Sequence, residues 1–137
     1  MGSKDMPSTA CDTRQISIAP DAVAPDGSEV RVLCATAGGS MAAFALAPGA
    51  VARAVVHRTV DEIWYVCAGE GRIWRRSDAA AEVIDLVPGL SLTIPVGTAF
   101  QFRCDGAVPL RILAVTLPPW PGDGEAQPVF GKWIATL

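Results

Sequence analysis

Short apolar segments separated by turn-forming residues run along most of this chain. Turn signals such as Pro-Asp-Gly at 25–27, Pro-Gly at 48–49 and Pro-Gly at 88–89 punctuate the pattern. They recur at intervals of roughly eight to twelve residues, which is typical of an all-β sandwich or barrel. No long helical periodicity interrupts them. The predicted strands lie at 15–18, 29–36, 41–47, 51–58, 62–68, 71–76, 82–87, 90–94, 99–104 and 110–117.

The size of the chain favours a single domain. Its 137 residues, 50% of them hydrophobic and 18% charged, are enough for one usable core. We expect a flexible N-terminal segment at 1–14, with a candidate cloning remnant at 1–5, and a barrel at 15–117. Residues 118–137 are rich in Pro and Gly, and we expect this tail to pack on the barrel through its aromatic residues.

Charge and hydropathy exclude several classes of partner. The net charge is −3 and the basic residues form no cluster beyond Arg75 and Arg76, so we expect no nucleic acid partner. No apolar run approaches the roughly 20 residues that span a bilayer, and the first residues lack a signal-peptide pattern. The sequence therefore predicts a cytoplasmic protein without a membrane partner. The four cysteines form no Cys-x-x-Cys pair, which argues against a zinc ribbon or a redox motif.

Candidate chemistry centres on the only histidine. His57 lies five positions before Glu62, within a stretch that has a strand pattern. An imidazole and a carboxylate on buried strands are compatible with a metal site, with an acid-base pair, or with hydrogen-bonded packing. The residues alone leave these three interpretations open.

Two stretches resemble the paired sequence motifs of the cupin family. In the first, Gly49 is followed after five residues by Val55-x-His57, then by Glu62 and by Gly69. In the second, Gly89 is followed after five residues by Pro95-x-Gly97, then by Phe100 and Cys104. The resemblance covers residues 49–104 and implies a single-domain, jelly-roll-like β-barrel with a site in its mouth.

In many cupins that site holds one metal through three histidines and a glutamate. Here the resemblance carries over His57 and Glu62 as ligands, whereas Val55 and Phe100 occupy histidine positions. Two protein ligands hold a divalent ion weakly, because three or more are normally needed to offset its dehydration. We therefore expect no cofactor, with a divalent metal as the less favoured alternative.

The strand pattern also predicts the surroundings of the site. If the motifs align, His57, Glu62 and Arg53 point into the barrel, in a pocket lined by Val55, Trp64, Phe100 and Phe102. Burial there should raise the carboxylate pKa and lower the imidazole pKa, as suits proton transfer. We predict His57 as acid or base, Glu62 as its partner, and Arg53 as a clamp for a carboxylate or enolate. Sugar-nucleotide epimerases of the wider cupin fold use such metal-free chemistry.

Three functional hypotheses follow for the pocket. The first is a metal-independent enzyme, an isomerase, lyase or cyclase, in which His57 and Glu62 act on a small molecule. The second is a non-catalytic small-molecule binder. The third is a metal-dependent dioxygenase or isomerase with a reduced ligand set. We also expect a homodimer, because exposed sheet edges and an aromatic tail favour association.

Overall fold

The computed structural model describes residues 10–137, and within that range the regular elements are all β-strands. The predicted remnant at 1–5, and most of the predicted flexible segment at 1–14, lie outside the described residues. The strands are β1 (Ala22–Val23), β2 (Glu29–Ala35), β3 (Ser40–Leu46), β4 (Val55–His57), β5 (Asp61–Ala68), β6 (Gly71–Arg76), β7 (Ala81–Leu86), β8 (Ser91–Ile94), β9 (Ala99–Cys104), β10 (Leu110–Leu117) and β11 (Ala126–Pro128).

Two antiparallel sheets form the fold. The six-stranded sheet has the order β1-β2-β3-β10-β5-β8, and the five-stranded sheet has the order β11-β4-β9-β6-β7. Strands distant in sequence are neighbours in both sheets, as when β10 lies between β3 and β5. This alternation of the chain between two antiparallel sheets confirms the predicted all-β jelly roll.

Eight predicted strands match observed ones to within two residues at each end. The prediction at 15–18 is wrong, since no strand forms there. The predicted strand at 51–58 shrinks to Val55–His57, and the chain before it makes only an isolated bridge between Val51 and Arg103. Two strands were missed, β1 and β11, because two or three residues are too few to show a periodic pattern.

The core lies between the sheets and is reached by alternate side chains of each strand. In β5, Glu62, Trp64 and Val66 are buried, whereas Ile63 and Tyr65 between them are nearly half exposed. This period of two is what a strand with one covered face requires. The inward residues of β5 therefore include the ionisable side chain of Glu62.

Motif glycines occupy turns that other residues enter only with strain. Gly69 has a φ of +83°, and a Cβ at this position would lie 2.5 Å from the main-chain oxygen of Pro109. Both the left-handed backbone and the close approach of a neighbouring loop exclude a side chain. The glycine spacing on which the resemblance rested thus reflects the geometry of the strand connections.

The tail covers the outer face of the five-stranded sheet. Ala54, Trp74 and Ala99 form a second small cluster there, packed against Val129 and Trp133 of the tail. Gln101 fixes the contact: its amide donates to the main-chain oxygens of Ala52 and Trp133, both at 2.9 Å, and accepts from Trp133 N at 2.8 Å. Strand β9 of this sheet is therefore buried on both faces. In the part of the chain that the structure describes, no helix has the length and apolar character needed to cross a bilayer.

We expect Gln101→Leu to lower the free energy of unfolding by about 2 to 4 kcal/mol, because it leaves the main-chain groups of Ala52 and Trp133 unpaired in a buried place. Chemical denaturation measures the loss. Gln127→Leu is the matched control, since Gln127 is exposed and bonds only to Gly124 O. Equal stability of the two variants would contradict the role given to Gln101.

Candidate functional site

His57 is the last residue of β4 and is only 4% exposed. Its ring lies between two aromatic rings in edge-to-face contact, Phe100 at 5.2 Å and Trp120 at 5.3 Å between centroids. The Nδ1 atom is buried and has no hydrogen-bond partner among residues 10–137. A buried polar atom without a partner costs free energy, and such atoms mark positions where a ligand or a reaction can use them.

Glu62 points into the barrel from β5 and is 3% exposed. One carboxylate oxygen accepts a hydrogen bond from Trp64 Nε1 at 2.8 Å, and no other side chain of the described residues donates a hydrogen bond to this carboxylate. Trp64, two residues later on the same face, thus fixes the orientation of the carboxylate. A single neutral donor is little compensation for removing a charged carboxylate from water.

Aromatic rings connect the two groups. Trp64 packs against Phe100 at 5.8 Å and against Phe102 at 4.9 Å, both edge to face. Because Phe100 also contacts His57, the imidazole and the carboxylate lie on one aromatic cluster, defined here as Trp64, Phe100 and Phe102. Within the described residues no hydrogen bond or ion pair joins His57 directly to Glu62, and the acid-base partnership of the two residues stays a prediction.

Burial perturbs both titratable groups in the predicted directions. Desolvation raises the pKa of Glu62 to about 7; the hydrogen bond from Trp64 opposes this, and repulsion by Asp26 adds to it. Desolvation also lowers the pKa of His57, an effect that the negative charge of Glu125 partly offsets. Near neutral pH the imidazole is therefore neutral, while the carboxyl group is divided between its acidic and basic forms.

Arg53 is not part of this site. Its side chain is exposed, and its guanidinium donates to the main-chain oxygens of Leu137 at 3.0 Å and Pro25 at 3.1 Å. The expectation that it points inward is wrong, because β4 begins only at Val55 and the alternation of faces does not extend back to residue 53. Val55 itself is 2% exposed and lies opposite Phe100 in the ladder between β4 and β9.

The structure adds residues that the sequence did not indicate. The side chain of Trp120, in the tail, covers His57. The main-chain N–H of Trp120 donates to Ser40 Oγ at 2.9 Å. Ser40 Oγ in turn forms a hydrogen bond with Thr116 Oγ1, and Thr116 lies opposite Glu62 across β5 and β10. Glu125 accepts bonds from Thr59 and Val60, which places its charge near His57. No local sequence signal links these positions, which are 54 to 80 residues apart from their contacts on the chain.

The donor set does not fit a divalent metal. Among residues 10–137 there is no group of three His, Cys, Asp or Glu side chains placed to hold an ion. Glu62 is directed at Trp64 Nε1, and apolar side chains stand at Val55 and Phe100. Stable binding of a transition metal needs more donors than this cluster offers, so no chemical step is assigned to a metal.

Comparison with known proteins identifies the family. A model of the cupin domain matches residues 42–116, from β3 to β10, a range that contains both His57 and Glu62. The chain belongs to the cupin family. This cupin matches no curated protein.

Solved structures share the fold of this cupin at low identity. A conserved protein with a double-stranded β-helix domain from Klebsiella pneumoniae is 19% identical with a TM-score of 0.63, covering 80% of this chain and 91% of that one. KdgF from a Halomonas species is 18% identical with a TM-score of 0.61, covering 77% and 88%. Oxalate decarboxylase from Bacillus subtilis is 19% identical with a TM-score of 0.63, covering 72% of this chain but 28% of the enzyme. These likenesses establish the barrel and leave its chemistry open.

The raised pKa of Glu62 predicts a pH-dependent stability. Between its ordinary value of 4.5 and about 7, the folded protein holds a proton that the unfolded chain releases. Stability should therefore fall as the pH rises through this window, by about 3 kcal/mol, and then level off. Glu62→Gln should abolish this fall in stability, so that the free energy of unfolding of the variant rises relative to that of the wild type as the pH increases. Denaturant unfolding at several pH values measures both.

Any pH dependence that remains in Glu62→Gln would come from other groups, foremost Asp26, whose pKa is also raised by burial. Parallel profiles of wild type and variant between pH 4.5 and 7 would contradict the assignment to Glu62.

We expect His57→Leu to raise the free energy of unfolding at neutral pH by about 1 kcal/mol, because the substitution removes an unpartnered buried nitrogen while keeping a side chain of similar size. Thermal and denaturant unfolding test this. Phe100→Ala, at a purely apolar neighbour of His57, should instead destabilise the protein by about 3 to 5 kcal/mol. A large loss of stability in His57→Leu would show that the histidine serves packing.

Proposed function

We propose that this cupin is a metal-independent enzyme that catalyses proton transfer on a small carbonyl compound, as in an isomerisation or elimination. The observation that carries the proposal is the arrangement of two buried titratable groups on one aromatic cluster. Glu62 has a pKa of about 7, and His57 is neutral with a free Nδ1. Groups that titrate near neutral pH serve as both acids and bases, and their burial without stabilising partners is typical of functional sites.

The chemistry requires only these two groups. In the tautomer that carries its proton on Nε2, His57 offers the Nδ1 lone pair as a base to a C–H next to a carbonyl. The protonated form of Glu62 gives its proton to the carbonyl oxygen, so that a neutral enol forms. In a hydroxycarbonyl compound the imidazolium then gives its proton to the former carbonyl carbon, on the same face, and the neighbouring hydroxyl gives its proton to Glu62, which completes an isomerisation with no change in electron count.

The surroundings suggest the substrate class. Trp64 and Phe100 supply apolar surface, and Arg53, the cation expected to clamp a carboxylate, faces away from the barrel. A carboxylate substrate would therefore meet no paired charge from this residue, and desolvating it would be costly. An uncharged hydroxycarbonyl compound fits the site better.

A solvent-exchange assay tests the proposal. Uncharged hydroxyketones and aldoses are incubated with the protein in D₂O, and loss of the proton signal next to the carbonyl is followed by NMR. We expect exchange with the wild type, a drop of about 100-fold or more in His57→Gln and in Glu62→Gln, consistent with loss of an acid-base group, and no change in Glu70→Gln. Glu70 is the matched control because it is an exposed glutamate. Undiminished exchange in His57→Gln would refute the assigned base.

Binding without turnover is the second candidate, favoured by the filling of the barrel. Trp64, Phe100 and Phe102 are each at most 2% exposed. Two surface cavities among the described residues, of about 260 and 150 Å³, lie elsewhere and are lined by neither His57 nor Glu62. Saturable binding of one of these hydroxyketones or aldoses that depends on His57, without hydrogen exchange into the compound, would support this candidate over the first.

A further inference from the structure

The segment that follows β10 lies across His57. Leu117 ends β10, and the chain continues as Pro118-Pro119-Trp120-Pro121. The indole of Trp120 packs edge to face on the imidazole of His57, with an interplanar angle of 74°. Phe100 contacts the same imidazole ring, with an interplanar angle of 77°. Enclosed by these rings, His57 is 4% exposed, although it sits at the end of its strand.

Few interactions hold this segment in place. Proline lacks an N–H, so Trp120 carries the only main-chain donor among residues 118–121. That donor bonds to a side chain, Ser40 Oγ at 2.9 Å, instead of to a sheet ladder. Trp120 as a whole keeps 36% of its surface exposed, so its burial is incomplete. Segments with few buried contacts and few main-chain hydrogen bonds open at low free-energy cost.

We infer that residues 118–121 form a lid over the site, with Trp120 as the side chain that closes it against His57. A ligand reaches the imidazole when the bond between Trp120 N and Ser40 Oγ breaks and the indole moves away. Ser40 also bonds to Thr116, which lies opposite Glu62, so the anchor of the lid is attached to the strand pair that carries the carboxylate. The lid's role in substrate entry rests on the proposed function, whereas its closure over His57 does not depend on that function.

Chemical modification of the imidazole tests closure without any substrate. Diethyl pyrocarbonate acylates neutral histidine, and the resulting ultraviolet absorbance reports on His57 alone because the chain has no other histidine. We expect Trp120→Ala to react at least about tenfold faster than the wild type, because loss of the indole should raise the opening equilibrium constant of the lid by about a factor of ten. Phe130→Ala is the matched control, since Phe130 belongs to the same tail and is 95% exposed; its rate should equal that of the wild type.

Ser40→Ala provides a second variant that leaves every ring in place. It removes the acceptor of the Trp120 N–H, and it should raise the modification rate and speed hydrogen exchange at the Trp120 amide while circular dichroism and the unfolding transition show an intact barrel. Wild-type His57 that reacts as fast as free N-acetylhistidine, or equal rates in the wild type, Trp120→Ala and Ser40→Ala, would overturn the lid.

The two proposals fail separately. Modification rates that rise in Trp120→Ala and Ser40→Ala, with no proton exchange in any variant, would support the lid and refute the enzyme. Proton exchange that depends on His57, with equal modification rates in all variants, would support the enzyme and refute the lid.

Discussion

The edge-to-face packing of Trp64, Phe100 and Phe102 is the contact on which the rest of the molecule depends. These rings come from β5 of one sheet and β9 of the other, and they join the two sheets where the barrel would otherwise be hollow. Aromatic pairs at such distances add to the free energy of apolar burial. The same rings exclude water from the positions of His57 and Glu62, so a single packing arrangement sets both the stability of the barrel and the electrostatics of its mouth.

The apolar rings that fill the barrel set the properties of the imidazole of His57 and the carboxyl group of Glu62 beside them. Phe100 stands where the family resemblance implies a histidine, and it contacts His57 through its ring instead of sharing a metal with it. Without a nearby cation, Glu62 is left with one neutral hydrogen bond, and its pKa rises to about 7. The apolar surroundings thus bring this carboxyl group into the range where it exchanges protons at neutral pH.

The tail extends this arrangement to the outside of the barrel. Gln101 and Trp133 attach its end to the outer face of the five-stranded sheet, and β11 adds an edge strand next to β4. Trp120, at the start of the tail, packs on His57. The histidine is therefore enclosed by a strand of the barrel on one side and by the tail on the other, and the two ends of the tail differ in how firmly they are held.

The sequence alone determined the all-β class and the positions of most strands, because alternation of apolar residues and glycine-marked turns are local properties that a strand with one covered face imposes on its own residues. It also indicated that Glu62 is inward and buried, since Glu62 lies within a regular strand whose phase the neighbouring residues reveal, and the family resemblance implied the same for His57. Only the tertiary structure decided that Arg53 faces outward, that Glu62 bonds to Trp64 and not to His57, and that Trp120 covers the imidazole. These contacts depend on where a strand begins and on which distant segments meet across the barrel. The periodicity of a short stretch of sequence determines neither of these.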